Sequence, residues 1–336
     1  MTVCVSGCDF TSIQKAVDSV GEGYSVDLGV GVFRESVIVE RALRIRGLTP
    51  AESVIEGEDS SGVMVRLTGR SILRSVTVRG GVVISGDSQL VDSVVRGGVG
   101  IDDHGQLVGS VVEATDGGYG AAVDVSDGAP VIDSSTVIGG IMVADAACLY
   151  VDNSTVTGGA VGIARLGEGP QGDGLCHTDA LDECNLYCCD PGCGEPSDDT
   201  TGNLKTTSSE PQTCPVIVYH STIAFNDVGL VGSYYYCWEE PEWRPQIWLF
   251  SSLVASNTSD CEPGAWGDDF VDGGFNLSTD QSCGFGEVLQ DTEPILLELS
   301  DNGGPTPTHA LAPASPAIDA GGDNCLPKDQ RGVIRP

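Results

Sequence analysis

Between residues 71 and 159 the chain repeats itself, and the length of the repeat restricts the fold more than any other feature. The stretches "SILRSVTVRG" (71–80), "QLVDSVVRGG" (89–98), "QLVGSVVEAT" (106–115), "PVIDSSTVIGG" (130–140) and "LYVDNSTVTGG" (149–159) share one pattern. Apolar residues alternate, a serine follows, the alternation resumes, and a glycine usually closes the unit. With Ser75, Ser93, Ser110, Ser135 and Ser154 as markers, the units are 18, 17, 25 and 19 residues apart. Alternation is the period of a strand, and a unit near twenty residues is too short to bury its own apolar face, so such units are stable only when stacked coil on coil.

A second strand follows the serine strand in each unit: "GVVI" (81–84), "VGI" (99–101), "AAVDV" (121–125), "GIMV" (140–143) and "AVGI" (160–163). Two or three short strands per coil predict an all-β parallel β-helix, with Val94, Ile101, Val123, Val137 and Val156 stacked inside at about 4.8 Å per coil. The repeated serines are expected to hydrogen-bond along a column and to be structural rather than nucleophilic. At the start, "DFTSIQKAVDSV" places Ile13, Ala16, Val17 and Val20 on one helical face, with Asp9 or Thr11 as N-cap and "GEG" as the stop. This helix is expected to cover the open end of the first coil. "YSVDLGVGVFRESVIVERALRIRGL" reads as three strands, with Arg34 and Glu35 at a turn.

Composition narrows the partners. Against 16 basic residues stand 49 acidic ones, a net charge of −33 that repels nucleic acid and anionic membranes and favours cations, Ca2+ among them. No apolar run reaches the roughly 18 residues needed to cross a bilayer, so no membrane-spanning segment is expected. Thirteen cysteines are too many for an ordinary reduced enzyme, and six of them lie between Cys176 and Cys214. Their spacing follows no paired CxxC pattern, which favours disulfides over a zinc site built with His177, and the odd count leaves one thiol over.

The entry segment "CDFTSIQKAVDSVGEGYSVDLGVGVFRESVIVERALRIRG" resembles that of right-handed parallel β-helix proteins of the pectin-lyase-like superfamily. "SSLVASNTSDC", "GGFNLSTDQSC", "DNGGPTPTHALAPASPAIDAG" and "DQRGVIRP" resemble the C-terminal coils of bacterial choice-of-anchor and polymorphic outer-membrane-protein-like surface proteins. The resemblance implies a right-handed, single-stranded β-helix at the bacterial surface or outside the cell. With the repeat, whose period breaks over 167–214, it divides the chain into an N-terminal cap (1–23), coils (24–166), a Cys-rich loop insertion (167–214), further coils (215–300) and a C-terminal cap (301–336). In that cap Pro305, Pro307, Pro313 and Pro316 lack ladder donors and suit an edge that must not recruit another strand. Cys4 with Cys8 and Cys261 with Cys283 each bracket a short loop at an element boundary and are expected to pair, the second pair also matching the family's spacing. Relatives continue beyond "RGVIRP" with another cysteine, so Cys325 is expected to lack its partner.

Enzymes of that superfamily converge carboxylates from adjacent coils on one solvent-facing sheet. Asp102 and Asp103 with His104 are the catalytic candidates here. Asp124, Asp127 and Asp145, with Glu168, recur near the same turn and form a candidate ladder for Ca2+. Asp at a turn also bonds its own backbone, which accounts for the same residues without any ligand. His220 is expected to fill a coil position and His309 to be a cap residue bonded to the chain. The aromatic run "SYYYCWEEPEWRPQIWLF" concentrates rings beside carboxylates, as sugar-binding surfaces do, and nominates Trp238, Trp243 and Tyr235 as ligand-binding. The function expected from these features is a secreted or cell-surface, non-catalytic module contacting glycans; the alternative is a polysaccharide lyase, hydrolase or epimerase.

Overall fold

The computed structural model describes residues 1–57, 63–115, 121–144, 147–166, 215–232, 246–264, 269–286, 290–322 and 325–335. They form a right-handed parallel β-helix. Among the described residues three parallel sheets hold eleven, ten and nine strands. One coil serves as the pattern. Gln89–Val91 belongs to the first sheet, Val94–Arg96 to the second and Val99–Ile101 to the third. The next coil repeats it one layer away, pairing Leu90 with Leu107, Val95 with Val112 and Ile101 with Val125. The entry region holds four strands rather than three: Ser25–Leu28, Gly31–Arg34, Val37–Val39 and Arg44–Arg46, so Arg34 ends a strand and Glu35 begins the turn.

The core is a set of like-on-like columns. Leu73, Leu90, Leu107 and Ile132 stack from the first sheet, and Val78, Val95, Val112, Val137 and Val156 from the second, all without solvent exposure. Each such side chain contributes roughly 1.5–3 kcal/mol by leaving water. Ile101, Val123, Val137 and Val156 point inward as expected, but Val94 does not. Its neighbour Val95 is the buried one, because the pair Val94-Val95 fits either face and the serine corner sets the register.

That corner, between the first and second sheets, is built from two residues. The first takes a positive φ, as at Ser75 (58°), Asp92 (46°), Gly109 (56°), Ser134 (49°), Asn153 (51°) and His220 (47°). The second is the serine column. The backbone N–H of Ser93 donates to the hydroxyl of Ser110 at 3.1 Å, that of Ser110 to Ser135 at 3.1 Å, that of Ser135 to Ser154 at 3.1 Å and that of Ser154 to Ser221 at 3.0 Å. Ser75 is therefore out of the column. Val76 stands in it, donating its N–H to Ser93 at 3.3 Å and packing its side chain in the core.

The helix Ile13–Ser19 closes one end of the stack with Ile13, Ala16 and Val17 buried. Its N-cap is Ser12, not Asp9 or Thr11. Ser12 accepts from Lys15 N at 3.3 Å, while the Glu35 carboxylate accepts from the N–H groups of Ile13 (2.7 Å) and Gln14 (3.0 Å). The first coil thus supplies half of the cap. Asp9 instead accepts from the N–H and hydroxyl of Thr2. At the other end Phe285 and the Cys261–Cys283 disulfide complete the core. Cys4–Cys8 is also a disulfide, Cys148 is disulfide-bonded, and Cys325 is free.

The described residues of 301–336, read from sequence as a C-terminal cap, run back along the outer face of the second sheet to the coil of Thr136. Leu296–Ser300 and Thr308–Leu311 form an antiparallel pair. The hydroxyl of Thr136 donates to Pro307 O at 2.7 Å, Thr155 donates to Gln330 Oε1 at 2.7 Å, and Gln330 Nε2 donates to Ser135 O at 3.0 Å. The outward residues explain the placement. Earlier coils carry Arg34, Glu56, Arg79, Arg96 and Glu113 there, paired to one another in water. Later coils carry Thr136, Thr155 and Thr157, which are buried beneath this strap.

Candidate functional site

The outer face of the first sheet carries a graded series of side chains set by strand register. Nearest the helix lie two ion pairs, Arg46–Asp27 at 2.9 Å on the face and, at its edge, Arg74 with the corner residue Asp92 at 2.6 Å. Gln89 and Gln106 follow, joined by a 2.9 Å hydrogen bond. Then two outward columns run on together. In one, Asp133, Asp152, Tyr219 and Phe250 occupy successive coils; in the other, Val131, Tyr150, Ile217 and Trp248 do. Successive coils are about 4.8 Å apart, so each column presents one side chain per layer.

The aromatic part of this face is a platform. Tyr219 and Phe250 stack with centroids 4.6 Å apart and planes at 17°, and Trp248 lies 6.4 Å from Phe250 at 26°. Tyr150 and Trp248 are 40% and 37% exposed, which leaves ring faces open to a ligand in an otherwise apolar-inward fold.

The acidic part is a pair of carboxylates in neighbouring coils. Burial raises the pKa of Asp133, the charge of Asp152 adds to the effect, and the 2.8 Å hydrogen bond from Ser134 opposes it. Asp152 Oδ1 lies 3.5 Å from His220 Nδ1. The His220 ring also stacks beside Tyr219, 6.1 Å away, and so bridges the acids, the aromatics and the corner. On the far side of the corner the strap contributes Arg335, whose Nη2 donates to Asn153 Oδ1 at 3.1 Å.

The residues nominated from sequence lie elsewhere. Asp102, Asp103 and His104 form the turn after Val99–Ile101, on the corner between the third and first sheets. Asp103 accepts from Gly86 N at 3.1 Å and Asp102 accepts from the Ser126 hydroxyl, so both acids tie one turn to the next. His104 is exposed. Among the described residues no Arg or Lys pairs with these acids. Asp127 accepts from Gly128 N next to it, as turn aspartates do. Asp124 projects from the third sheet between Gly100 and Met142, where desolvation raises its pKa. Among the described residues no group of three or more His, Cys, Asp or Glu side chains is placed to hold a metal. Asp145, Glu168, His177, Tyr235, Trp238 and Trp243 lie outside the described residues.

The first-sheet acids and rings went unnominated, although a signal for them exists. "VIDSS" and "YVDNS" place an aspartate just before the corner in consecutive coils, and Tyr150, Tyr219, Trp248 and Phe250 recur at outward positions.

No family model matches the chain, and no curated protein does. Among solved structures, the chain is similar to pectate lyase Pel9A, at 8% identity over 100% of this chain and 88% of that one, with a TM-score of 0.42. It is similar to the A-module of Azotobacter vinelandii mannuronan C-5 epimerase AlgE4, at 13% identity over 74% of each chain, with a TM-score of 0.41. It is also similar to pectin methylesterase PemA from Erwinia chrysanthemi, at 10% identity over 86% of this chain and 91% of that one, with a TM-score of 0.39. The likeness is one of fold.

Proposed function

We propose that the protein is a polysaccharide-active β-helix protein that holds an extended glycan along the outer face of its first sheet. The observation that carries this is the register that sets Asp133 and Asp152 in line with Tyr219 and Phe250, beside the open rings of Tyr150 and Trp248. Ring faces stack on the C–H faces of sugars, and carboxylates take their hydroxyls. The carboxylate pair supports cleavage over mere retention. In this reading Asp133, whose burial favours the protonated form, would donate a proton to a glycosidic oxygen, with Asp152, beside His220, as its partner carboxylate. Asp133 and Asp152 stand on strands one coil apart, about 4.8 Å, a backbone spacing close to the roughly 5 Å between carboxyl groups at which such a pair acts by direct attack. The disulfides suit an oxidising compartment, which supports a secreted or bacterial cell-surface location.

The test is a glycan array with a polysaccharide-degradation screen, run with and without Ca2+ on wild type, Tyr150→Ala/Trp248→Ala and Asp133→Asn/Asp152→Asn. The expected result is binding lost with the aromatic pair, and turnover lost with the aspartate pair while binding persists. Binding without turnover in wild type would return the protein to a non-catalytic surface module. No binding to any polysaccharide would refute the reading.

A further inference from the structure

Between the strap and the second sheet lies a cleft of about 430 Å3, a volume within the range of small-ligand sites. His220 lines the cleft, and its side chain, only 7% exposed, stands 3.5 Å from Asp152 of the first-sheet face, so a single residue separates the two spaces. The lining suits a sugar. Thr222 and Ser251 line it with hydroxyls that bond no partner among the described residues, Arg335 adds a donor, and Leu253 and Leu277 supply an apolar floor. Phe275, held at a positive φ of 59°, is 59% exposed at the rim, an arrangement with no role in the core.

We infer that this cleft receives a side branch of the polysaccharide whose backbone lies along the first sheet, so that the protein selects branched over linear chains. The inference rests on the proposed glycan face. A backbone unit beside Asp152 would carry a branch past His220 and round the two-residue corner. There one or two sugar units would meet the Phe275 ring and the hydroxyls of Thr222 and Ser251. A branch that fills the cleft gains contacts that a linear chain lacks, while the backbone contacts remain common to both.

The experiment measures binding to paired polymers that share a backbone: arabinoxylan and linear xylan, galactomannan and linear mannan, and arabinan-branched and debranched pectic chains. Wild type is expected to bind the branched member of one pair about tenfold tighter than the linear one. Phe275→Ala and Thr222→Val should bring the two members level, leaving linear-chain binding unchanged, whereas Tyr150→Ala/Trp248→Ala should weaken both. Phe275 is exposed, so its removal leaves folding intact. Equal binding of both members by wild type, or a branch preference that survives both cleft variants, overturns this inference and leaves the glycan face standing. Failure of wild type to bind any of the polymers overturns both.

Discussion

Thr279 gives both its backbone N–H and its hydroxyl to a single oxygen of Asp260, at 2.5 and 2.7 Å, between the last two coils, where Asp260 is wholly buried. Asp280 N adds a third donor at 3.2 Å, and Asn257 Nδ2 bonds the other oxygen at 3.0 Å. Burial raises the pKa of Asp260 despite these bonds. Removing the acceptor therefore strands buried donors, and Asp260→Ala is expected to cost about 2–4 kcal/mol. Urea unfolding followed by far-UV circular dichroism checks it; a loss below 0.5 kcal/mol would contradict the network. Because the folded pKa is raised, the native state takes up a proton before the unfolded chain does. Mild acidification therefore does not weaken the coil through this group.

The serine column makes a second prediction. Ser135 accepts the Ser110 N–H at 3.1 Å and donates to Asp133 O at 2.8 Å. Ser135→Ala should cost about 1–2 kcal/mol, because it leaves the buried Ser110 N–H without an acceptor. Ser75→Ala, one position outside the column, should lie within about 0.5 kcal/mol of wild type. Comparing the two unfolding midpoints tests whether the column or the mere presence of serine matters.

Faces are tested by a matched pair of aspartates. Val123 is fully buried, and Val123→Asp should cost several kcal/mol, about 3–5, by burying an unpaired carboxylate. Val94 faces outward between Thr77 and Val111, so Val94→Asp should be tolerated to within about 1 kcal/mol. Equal effects on thermal unfolding would mean that the inward register is wrong.

The strap should loosen in acid. His309 Nδ1 lies 2.8 Å from Leu297 O, its Nε2 lies 3.1 Å from the Thr157 hydroxyl, and its ring packs on Phe225. Burial lowers its pKa below the usual histidine value, and the Leu297 bond opposes that. The unfolded strap thus binds the proton more readily than the docked one. Docking is fully supported above the unfolded pKa of about 6.5 and is lost as pH falls through the lowered value. Amide exchange over residues 296–311 should therefore accelerate between pH 7.5 and pH 5. In His309→Gln the acceleration should shrink; an unchanged pH response there would show that another group governs docking.

Much of the fold was legible because stacking imposes one rule on every coil. The inward valines of each unit and the apolar face of the helix were visible as periodicity. What the pattern hid was register at ambiguous pairs. In "LVDSV" Asp92 takes the positive-φ corner, whereas in "VIDSST" Asp133 lies one place earlier, on the strand, with Ser134 at the corner. The same two letters mean different positions, and only pairing with the neighbouring coil separates them. Hence Ser75 lines up with Ser93 in the sequence although Val76 takes that place in the coil, and the adjacent acids Asp133 and Asp152 are not among the residues nominated from sequence. The helix cap escaped for a related reason, since Glu35 reaches it from 22 residues away. The strap escaped because nothing local in "PTPTHAL" specifies a threonine-covered sheet as its seat.

A stack of coils is nearly one-dimensional, since each layer touches only those above and below it. Gln330 breaks that rule, reaching Ser135 across 195 residues of sequence, and Arg335 reaches Asn153 across 182. Mechanically this makes the strap a clasp. Tension applied through residue 335 enters the rod at the coil of Asn153, partway along its length, and bypasses the coils beyond it. Those last coils stay slack until the clasp's hydrogen bonds part, and only then do they begin to carry load.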